Sequence, residues 1–573
     1  METRQRTSGY SCYTGADHLC YLQFVAIIGG RSPRAAQTGG AAHDGIARRR
    51  RKEPPVRSIQ RASRWSIVLW SGIRPVIRWS ALTSLLVAPS AWAGNYFVST
   101  AGNDLANGSA GSPWKTLQRA ADLVTAGDIV NVLAGEYAGL DLFTSGTAAN
   151  PITFRAQPGV SITSPNQRTP DGINLEGASH VVIEGFHVTG VPRAGIRAVG
   201  TSAANVSRFV TIRDNVADQN GRWGIFTGYS EDLLIENNQA SRSELEHGIY
   251  VSNSADRPIV RNNLVWGNFG SGIQINSDGT LPGDGIIKDA LVERNTIYGN
   301  GAGGGSALNM DGVQDSVFVN NLLYDNHASG ISLYQIDGEE GAKNNQVLNN
   351  TILQPSDGGW AVNIQGGSTG NTVRNNILLN QQSFRGSISV SEDSLAGLSS
   401  DYNAVKNRFS VDDGESGVSL AQWRTATGQD AHSFVATLAN LFVDPANSDY
   451  RLGVGSPAVD TGNANLAPPI DLSGHARPQG LGFDIGAYEQ LLGDANYDGA
   501  VNIFDVNLVS SNWNETGPLG DANGDRAVNI FDINLISANW TSSAQPVPEP
   551  GSAILAAIAA AAAFWARCRR RQR

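Results

Sequence analysis

HGIYVSN, residues 247–253, admits two readings. His247 and Tyr250 could be a catalytic pair, or the seven residues could be one turn of a repeating scaffold. Seven other segments bear on the choice: DGINLEG, AGIRAVG, WGIFTGY, SGIQINS, SALNMDG, SGISLYQ and WAVNIQG. With HGIYVSN they align on Ile173, Ile196, Ile225, Ile249, Ile273, Leu308, Ile331 and Val362, at gaps of 23, 29, 24, 24, 35, 23 and 31 residues. Ten to twenty residues after most anchors comes a second apolar run ending in asparagine: TIRDN, LIENN, IVRNN, LVERN, VFVNN, QVLNN and TVRNN. A period near 24 with short β-type runs and a corner asparagine describes the coils of a β-solenoid. Asn215, Asn238, Asn263, Asn295, Asn321, Asn350 and Asn376 are then expected to stack inside as an amide ladder.

HGIYVSN is therefore first a rung. Strand alternation sends Ile249 and Val251 inward, Tyr250 and Ser252 outward. Coils stack about 4.8 Å apart, so the outward positions form a strip: Asn174, Arg197, Phe226, Tyr250, Gln274, Asn309, Ser332 and Asn363. A companion column runs Glu176, Val199, Gly228, Ser252, Asn276, Asp311, Tyr334 and Gln365. Amides, aromatics and one arginine in a long groove suit an extended sugar polymer, with Arg197, Gln274, Asn276, Asn309 and Tyr334 as candidate binding residues. A solvated polar face is the equal alternative. The long gaps come from insertions after the first strand, SDGTLPGDGIIKD at 277–289 and QIDGEEGAKNN at 335–345. Both fall at one corner, where they can wall a cleft.

The period resembles that of the right-handed parallel β-helix, over about residues 95–400, and handedness is implied by that resemblance alone. YFVSTAGNDLANGSAGSPWKTLQRAADLVTAGDIVNVLAGEY is similar to the N-terminal cap of exported β-helix proteins related to pectate lyases. Elimination on a uronate polymer needs a base and a neutraliser of the sugar carboxylate. Candidates are His247, Tyr250, Lys288 and Lys343, the last two in the expected walls; the plainer reading of His247 is a solvated residue at the turn into a strand. Pectate lyases with a lysine base carry a calcium-binding aspartate cluster, which residues 171–380 do not display. Hydrolysis needs two carboxylates about 5–10 Å apart. The strip offers Glu176 and Asp311, five coils apart, so Asp311 would need a loop partner such as Asp278 or Asp337. A polysaccharide lyase is thus expected ahead of a glycoside hydrolase, with a glycan-binding adhesin as the non-enzymatic alternative.

From 401 to 490 the period stops. DYNAV, LFVDPANSDYRL, SPAVDTG and FDIGAYEQ resemble the ending of bacterial surface β-helix proteins of the choice-of-anchor Q type, and last coils plus a cap are expected there. Beyond it, GDANYDGAVNIFDVNLVSSNW and GDANGDRAVNIFDINLISANW repeat at a spacing of 27 residues. Asp494, Asn496, Asp498, Ala500 (by its carbonyl), Asn502 and Asp505 fall at positions 1, 3, 5, 7, 9 and 12 of a calcium loop; Asp521, Asn523, Asp525, Ala527, Asn529 and Asp532 repeat them. The pair, residues 491–541, resembles a type I dockerin, a small α-helical calcium module, and the resemblance implies a cohesin-type partner. Arg526 stands where the turn favours glycine, and Ile503-Phe504 and Ile530-Phe531 where dockerins often carry Ser or Thr.

The ends read as addresses. Arg74 and Arg78, an apolar run and Ala91-x-Ala93 form an export signal over 64–93, preceded by a leader or a misassigned start over 1–63. Over 542–573, Pro548-Glu549-Pro550, apolar residues 553–566 and a basic terminus resemble a PEP-CTERM sorting signal, which implies transient association with the inner membrane. Residues 94–550 hold 23 basic against 48 acidic residues, a balance that offers no face to nucleic acid. All three cysteines, Cys12, Cys20 and Cys568, lie in the ends, so no disulfide braces the body.

Overall fold

The computed structural model describes residues 93–253, 255–516, 519–524 and 527–541. The leader, the export signal, the sorting tail, Asp525 and Arg526 lie outside the described residues. Three parallel sheets of 12, 11 and 12 strands form the walls of a β-solenoid. Each coil contributes one short strand to each sheet, and every pairing along the stack is parallel.

The inside of each coil is filled by the anchors. Ile173, Ile196, Ile225, Ile249, Ile273, Leu308, Ile331 and Val362 are all fully buried, one above another. The expected asparagine ladder forms and runs one rung further, to Asn403. At a typical rung the Asn295 amide Nδ2 donates to Asn321 Oδ1 at 3.0 Å and to Val260 O at 2.9 Å. Its Oδ1 accepts from both the backbone N and Nδ2 of Asn263. Every donor of the side chain is used inside, where no water could replace it.

The residue before each ladder asparagine takes a left-handed conformation. Asp214, Asn237, Asn262, Arg294, Asn320, Asn349, Asn375 and Tyr402 have φ between 49 and 57°. Asn and Asp tolerate this region best, which explains why six of the eight corners read DN or NN. A second ladder, Asn268, Asn300 and Asn326, runs at the next corner and was not anticipated.

Helix Leu117–Leu123 packs Leu117, Ala120 and Ala121 against the first coils. At the other end helix Leu420–Thr427, capped by Ser419 with Gln422, lays Trp423 on Phe409 at 5.0 Å between ring centres. The expectation that 401–490 simply closes the end needs correction. Residues from about 441 to 490 turn back and lie along the outside of the solenoid. Leu441, Phe442, Tyr450, Leu452 and Ile485 cover Leu322, Leu353, Ile377 and Leu379, which face outward from three successive coils. The left-handed corner residues become docking points: Asn320 Nδ2 donates to Ile470 O at 2.7 Å, Asn349 to Asp484 O at 3.0 Å and Asn375 to Asn463 O at 2.8 Å. Arg477, wholly buried, pairs with Glu489 at 2.7 Å and donates to Gly486 O at 2.8 Å.

The last residues form two loop-helix units of the same geometry, with helices Ile503–Ser511 and Ile530–Ala538. Asn502 and Asn529 cap them, and Asp505 and Asp532 each accept from the cap amide at 2.8 Å and from the Asn496 or Asn523 amide at 3.1 Å. Val501, Val509, Val528 and Ile536 make their shared core. Among the described residues no helix is long and apolar enough to cross a membrane.

Replacing Asn295 by alanine strands the Asn263 amide and two carbonyl partners in the core. At about 1–3 kcal/mol per unmatched group, we expect a loss of about 3 kcal/mol in urea unfolding, against under about 0.5 kcal/mol for an exposed substitution such as Gln381→Ala.

Candidate active-site groove

The 11-stranded sheet is the floor of the candidate groove, and its register places the strip as read from the sequence. Arg197 pairs with Asn174 and Phe226, Tyr250 with Phe226 and Gln274, and Asn309 with Gln274 and Ser332. The companion column likewise runs Ser252, Asn276, Asp311, Tyr334. The floor is not a solvated face. Tyr250, Ser252, Gln274 and Asn276 are all buried, Tyr250 to 8% exposure under Trp223, Phe226 and His247, and Asn276 lies beneath Asp337 of the second insertion. Gly279 N donates to Asp337 O at 2.8 Å and Glu339 N to Gly285 O at 3.1 Å, joining the insertions into one wall.

Asp311 holds that wall in place. Its carboxylate accepts from the backbone amides of Ile336, Asp337 and Gly338 at 2.9, 2.8 and 3.2 Å. Burial outweighs these three bonds and pushes its pKa up to about 6. With both oxygens spent on backbone, Asp311 is an anchor, and its candidacy as a catalytic acid is corrected accordingly.

The floor divides into two stations. In the coils of Trp223 and Tyr250 lies an aromatic shelf: Trp223 stacks on Phe226 at 4.5 Å, Phe226 meets Tyr250 edge-on at 5.3 Å, and His247 meets Tyr250 edge-on at 5.1 Å. In the next three coils Ser271 Oγ donates to Gln274 Oε1 at 3.1 Å and Asn309 Nδ2 to Tyr334 Oη at 2.8 Å. Gln274 also accepts from Asn309 at 2.6 Å and donates to Asn276 at 3.1 Å. Four of the five candidate binding residues are thereby brought together. Arg197 is not among them; it sits at the entry, donating to Asn174 at 2.7 Å and lying 3.5 Å from Glu176.

Three of the four candidate bases, His247, Lys288 and Lys343, are occupied. His247 Nδ1 accepts from the Ser271 amide at 3.0 Å, leaving Nε2 as a donor in the neutral ring. Burial, with Arg222 nearby, brings its pKa down to about 3. Lys288 pairs with Asp284 at 3.4 Å and Lys343 with Glu340 at 3.0 Å, on the exposed side of the wall. Burial pushes the Tyr334 phenol well above its ordinary value. Above the amide station the wall presents Asp337, half-buried, with the Asn276 amide 3.4 Å away. Burial and the nearby Asp278 carboxylate raise Asp337 above the usual carboxylate range, opposed by that amide.

Two features escaped the sequence reading. The floor begins one coil earlier than the alignment, at Leu140–Leu142, so Asp141 joins Glu176 and Asp311 as an outward carboxylate, bonded to Asn174 at 2.7 Å and 3.2 Å from Arg168. A third column, two residues before each anchor, edges the groove: Asp171, Ala194, Trp223, His247, Ser271, Ser306, Ser329 and Trp360. Its signal was present at the first letter of most of the aligned segments.

Residues 171–335 match a family model described as right handed beta helix region, and residues 96–241 one described as Pel9A-like, right handed beta helix region. Over residues 96–335 the solenoid is thus similar to right-handed β-helices, including the Pel9A-like kind. An uncharacterized protein of Bacillus subtilis (strain 168), YwoF, is 25% identical over 250 residues, 39% of this chain; the match spans about half of that relative, 53%. Among solved structures, pectate lyase Pel9A is similar at 16% identity with a TM-score of 0.44, over 69% of this chain and 96% of that one. XylC in complex with xylose is similar at 11% identity with a TM-score of 0.43, over 69% and 98%.

Proposed function

We propose that this chain is an exported protein that binds and cleaves a polysaccharide along the walled groove. The observation that carries the reading is the sequence of stations on one floor, an aromatic shelf followed by an amide network, under a wall that presents Asp337. Rings offer flat apolar faces to sugar rings, and fixed amides bond their hydroxyls. Asp337, its pKa raised above the usual carboxylate range, fits a general acid for the glycosidic oxygen, with Asp278 as the candidate second carboxylate. The lyase expected from the sequence becomes the second reading, because His247, Lys288 and Lys343 are each committed elsewhere; Arg197 on the floor, a cation able to meet a uronate, still favours it.

Released reducing ends without unsaturated products is the expected outcome when the protein is incubated with uronate-containing and neutral polysaccharides. Asp337→Asn is expected to lower kcat by about 10²-fold or more, with binding retained. Unsaturated products would establish the lyase instead, and binding without either product the adhesin.

The loop-helix pair is proposed to fold around calcium and to dock a cohesin-type partner. Its donors are all oxygens, which suits a hard cation. In the first loop Asp494, Asp498 and Asp505 lie close together, and burial with these two neighbours pushes Asp494 up to about 6. A divalent ion would relieve that crowding. Export and sorting through the two ends are part of the same proposal. At 100-fold excess over its Kd, calcium stabilises such a fold by about 2.7 kcal/mol. Amide exchange in 503–511 and 530–538 is accordingly expected to slow with calcium and recover with chelator; exchange indifferent to both would contradict the site.

A further inference from the structure

The groove floor continues three coils past Tyr334, over Val362–Ile364, Ile388–Val390 and Phe409–Ser410. There the loop VDDGESG, residues 411–417, crosses it as a roof. Trp360 takes the place in its coil that Trp223 and His247 take in theirs, and only 1% of it is exposed. Gly414 lies directly on the indole: a Cβ there would stand 2.8 Å from Trp360 Nε1 and 3.5 Å from Ser389 Oγ. Its φ of 81° is also one that side chains avoid. Trp360 Nε1 and Ser389 Oγ thus converge on one point under the roof, and Asn363 is the register partner of Ser389.

None of Trp360 Nε1, Ser389 Oγ and Asn363 Oδ1 has a hydrogen-bond partner among the described residues, although all three atoms are buried. Buried polar groups are nearly always bonded, and three such atoms in adjoining coils call for a common partner. Their chemistry defines it: one donor, one acceptor and one hydroxyl that can be either. That set matches hydroxyl groups. A carboxylate would meet Asn363 Oδ1 and the acidic roof residues Asp412, Asp413 and Glu415. The roof is a compact loop between Phe409 and Val418, which bond each other's backbone at 2.8 and 2.9 Å, with Asp412 accepting from Ser410 Oγ and from Ser416 N and Oγ inside it, so it would move as a unit. Its tie to the neighbouring coil runs from the Gln365 amide to Asp413, and Gly414 N rests on Ser410 Oγ at 2.8 Å. Burial raises Asp413, opposed by the Gln365 amide; of the carboxylates that add to the rise, Asp393 alone lies outside the loop, with Glu415 and Asp412 inside it.

We propose that these coils form an end subsite for a neutral glycosyl residue, with 411–417 as its lid: Trp360 donates to, Asn363 accepts from, and Ser389 bridges sugar hydroxyls. The inference rests on the polysaccharide reading of the groove. It places the subsite five coils, about 24 Å, from the aromatic shelf, so one extended oligosaccharide reaches both.

Two indoles report on the two places separately. The ¹⁵N-indole resonances of Trp223 and Trp360, assigned through Trp223→Phe and Trp360→Phe, are followed in the full chain during titration with cellohexaose, xylohexaose and hexagalacturonate. Both are expected to shift with a neutral hexaose, and Trp360 not with hexagalacturonate. Ser389→Ala and Asn363→Leu, checked for an unchanged melting temperature, are expected to weaken that binding about tenfold. A shift of Trp223 alone would overturn the subsite and leave the groove reading standing; no shift of either with any hexaose would overturn both. A Trp360 shift with hexagalacturonate equal to that with the neutral sugars would overturn the neutral selectivity.

Discussion

The structure depends on how one buried amide satisfies the next. A chain that turns three corners per coil leaves backbone groups inside at every corner, out of reach of water. The asparagine ladder from Asn215 to Asn403 answers this in a single way: from Asn215 to Asn376 each side chain bonds the following rung and the backbone of the preceding coil. The geometry works only with neighbouring coils in register. It therefore fixes the register of all three sheets, and with it the vertical alignment of every outward column.

The function-bearing features follow from that alignment. Because Phe226, Tyr250, Gln274 and Asn309 must stand one above another, four unremarkable coils make a floor of graded chemistry. Insertions from two different coils meet because the same register holds their stems together, and Asp311 converts the meeting into a wall by accepting three amides. The left-handed corners serve twice. They make the turn, and on one face Asn320, Asn349 and Asn375 turn outward to hold the returning C-terminal segment.

What was legible in the sequence was what repeats. The inward anchors, the ladder and the two outward columns obey a two-residue alternation within a period near 24, and each fell where expected. The second ladder was legible but overlooked: Asn220, Asn268, Asn300 and Asn326 each come five residues after a first-ladder asparagine. The burial of the floor was not legible, because it depends on side-chain packing between coils, such as Trp223 and His247 over Tyr250, and on the insertion that brings Asp337 to Asn276, neither of which has a period. The same holds for Asp311, whose type suggests catalysis and whose partners are backbone amides of another coil. Nothing periodic marks residues 441–490 either, so their return along the solenoid could only be seen in three dimensions. His247 shows the limit in one residue: its place as a rung was readable, its bond to the Ser271 amide was not.

The most direct test of the central claim, that register-locked columns make one continuous sugar-binding floor, is a crystal structure of the Asp337→Asn protein with a bound oligosaccharide. Sugar density running along the stack, over Trp223, Phe226 and Tyr250 and on past Gln274, Asn309 and Tyr334, is the expected result. Density across the stack, or on another face such as the Trp266, Tyr298 and Tyr324 ring ladder, would contradict it.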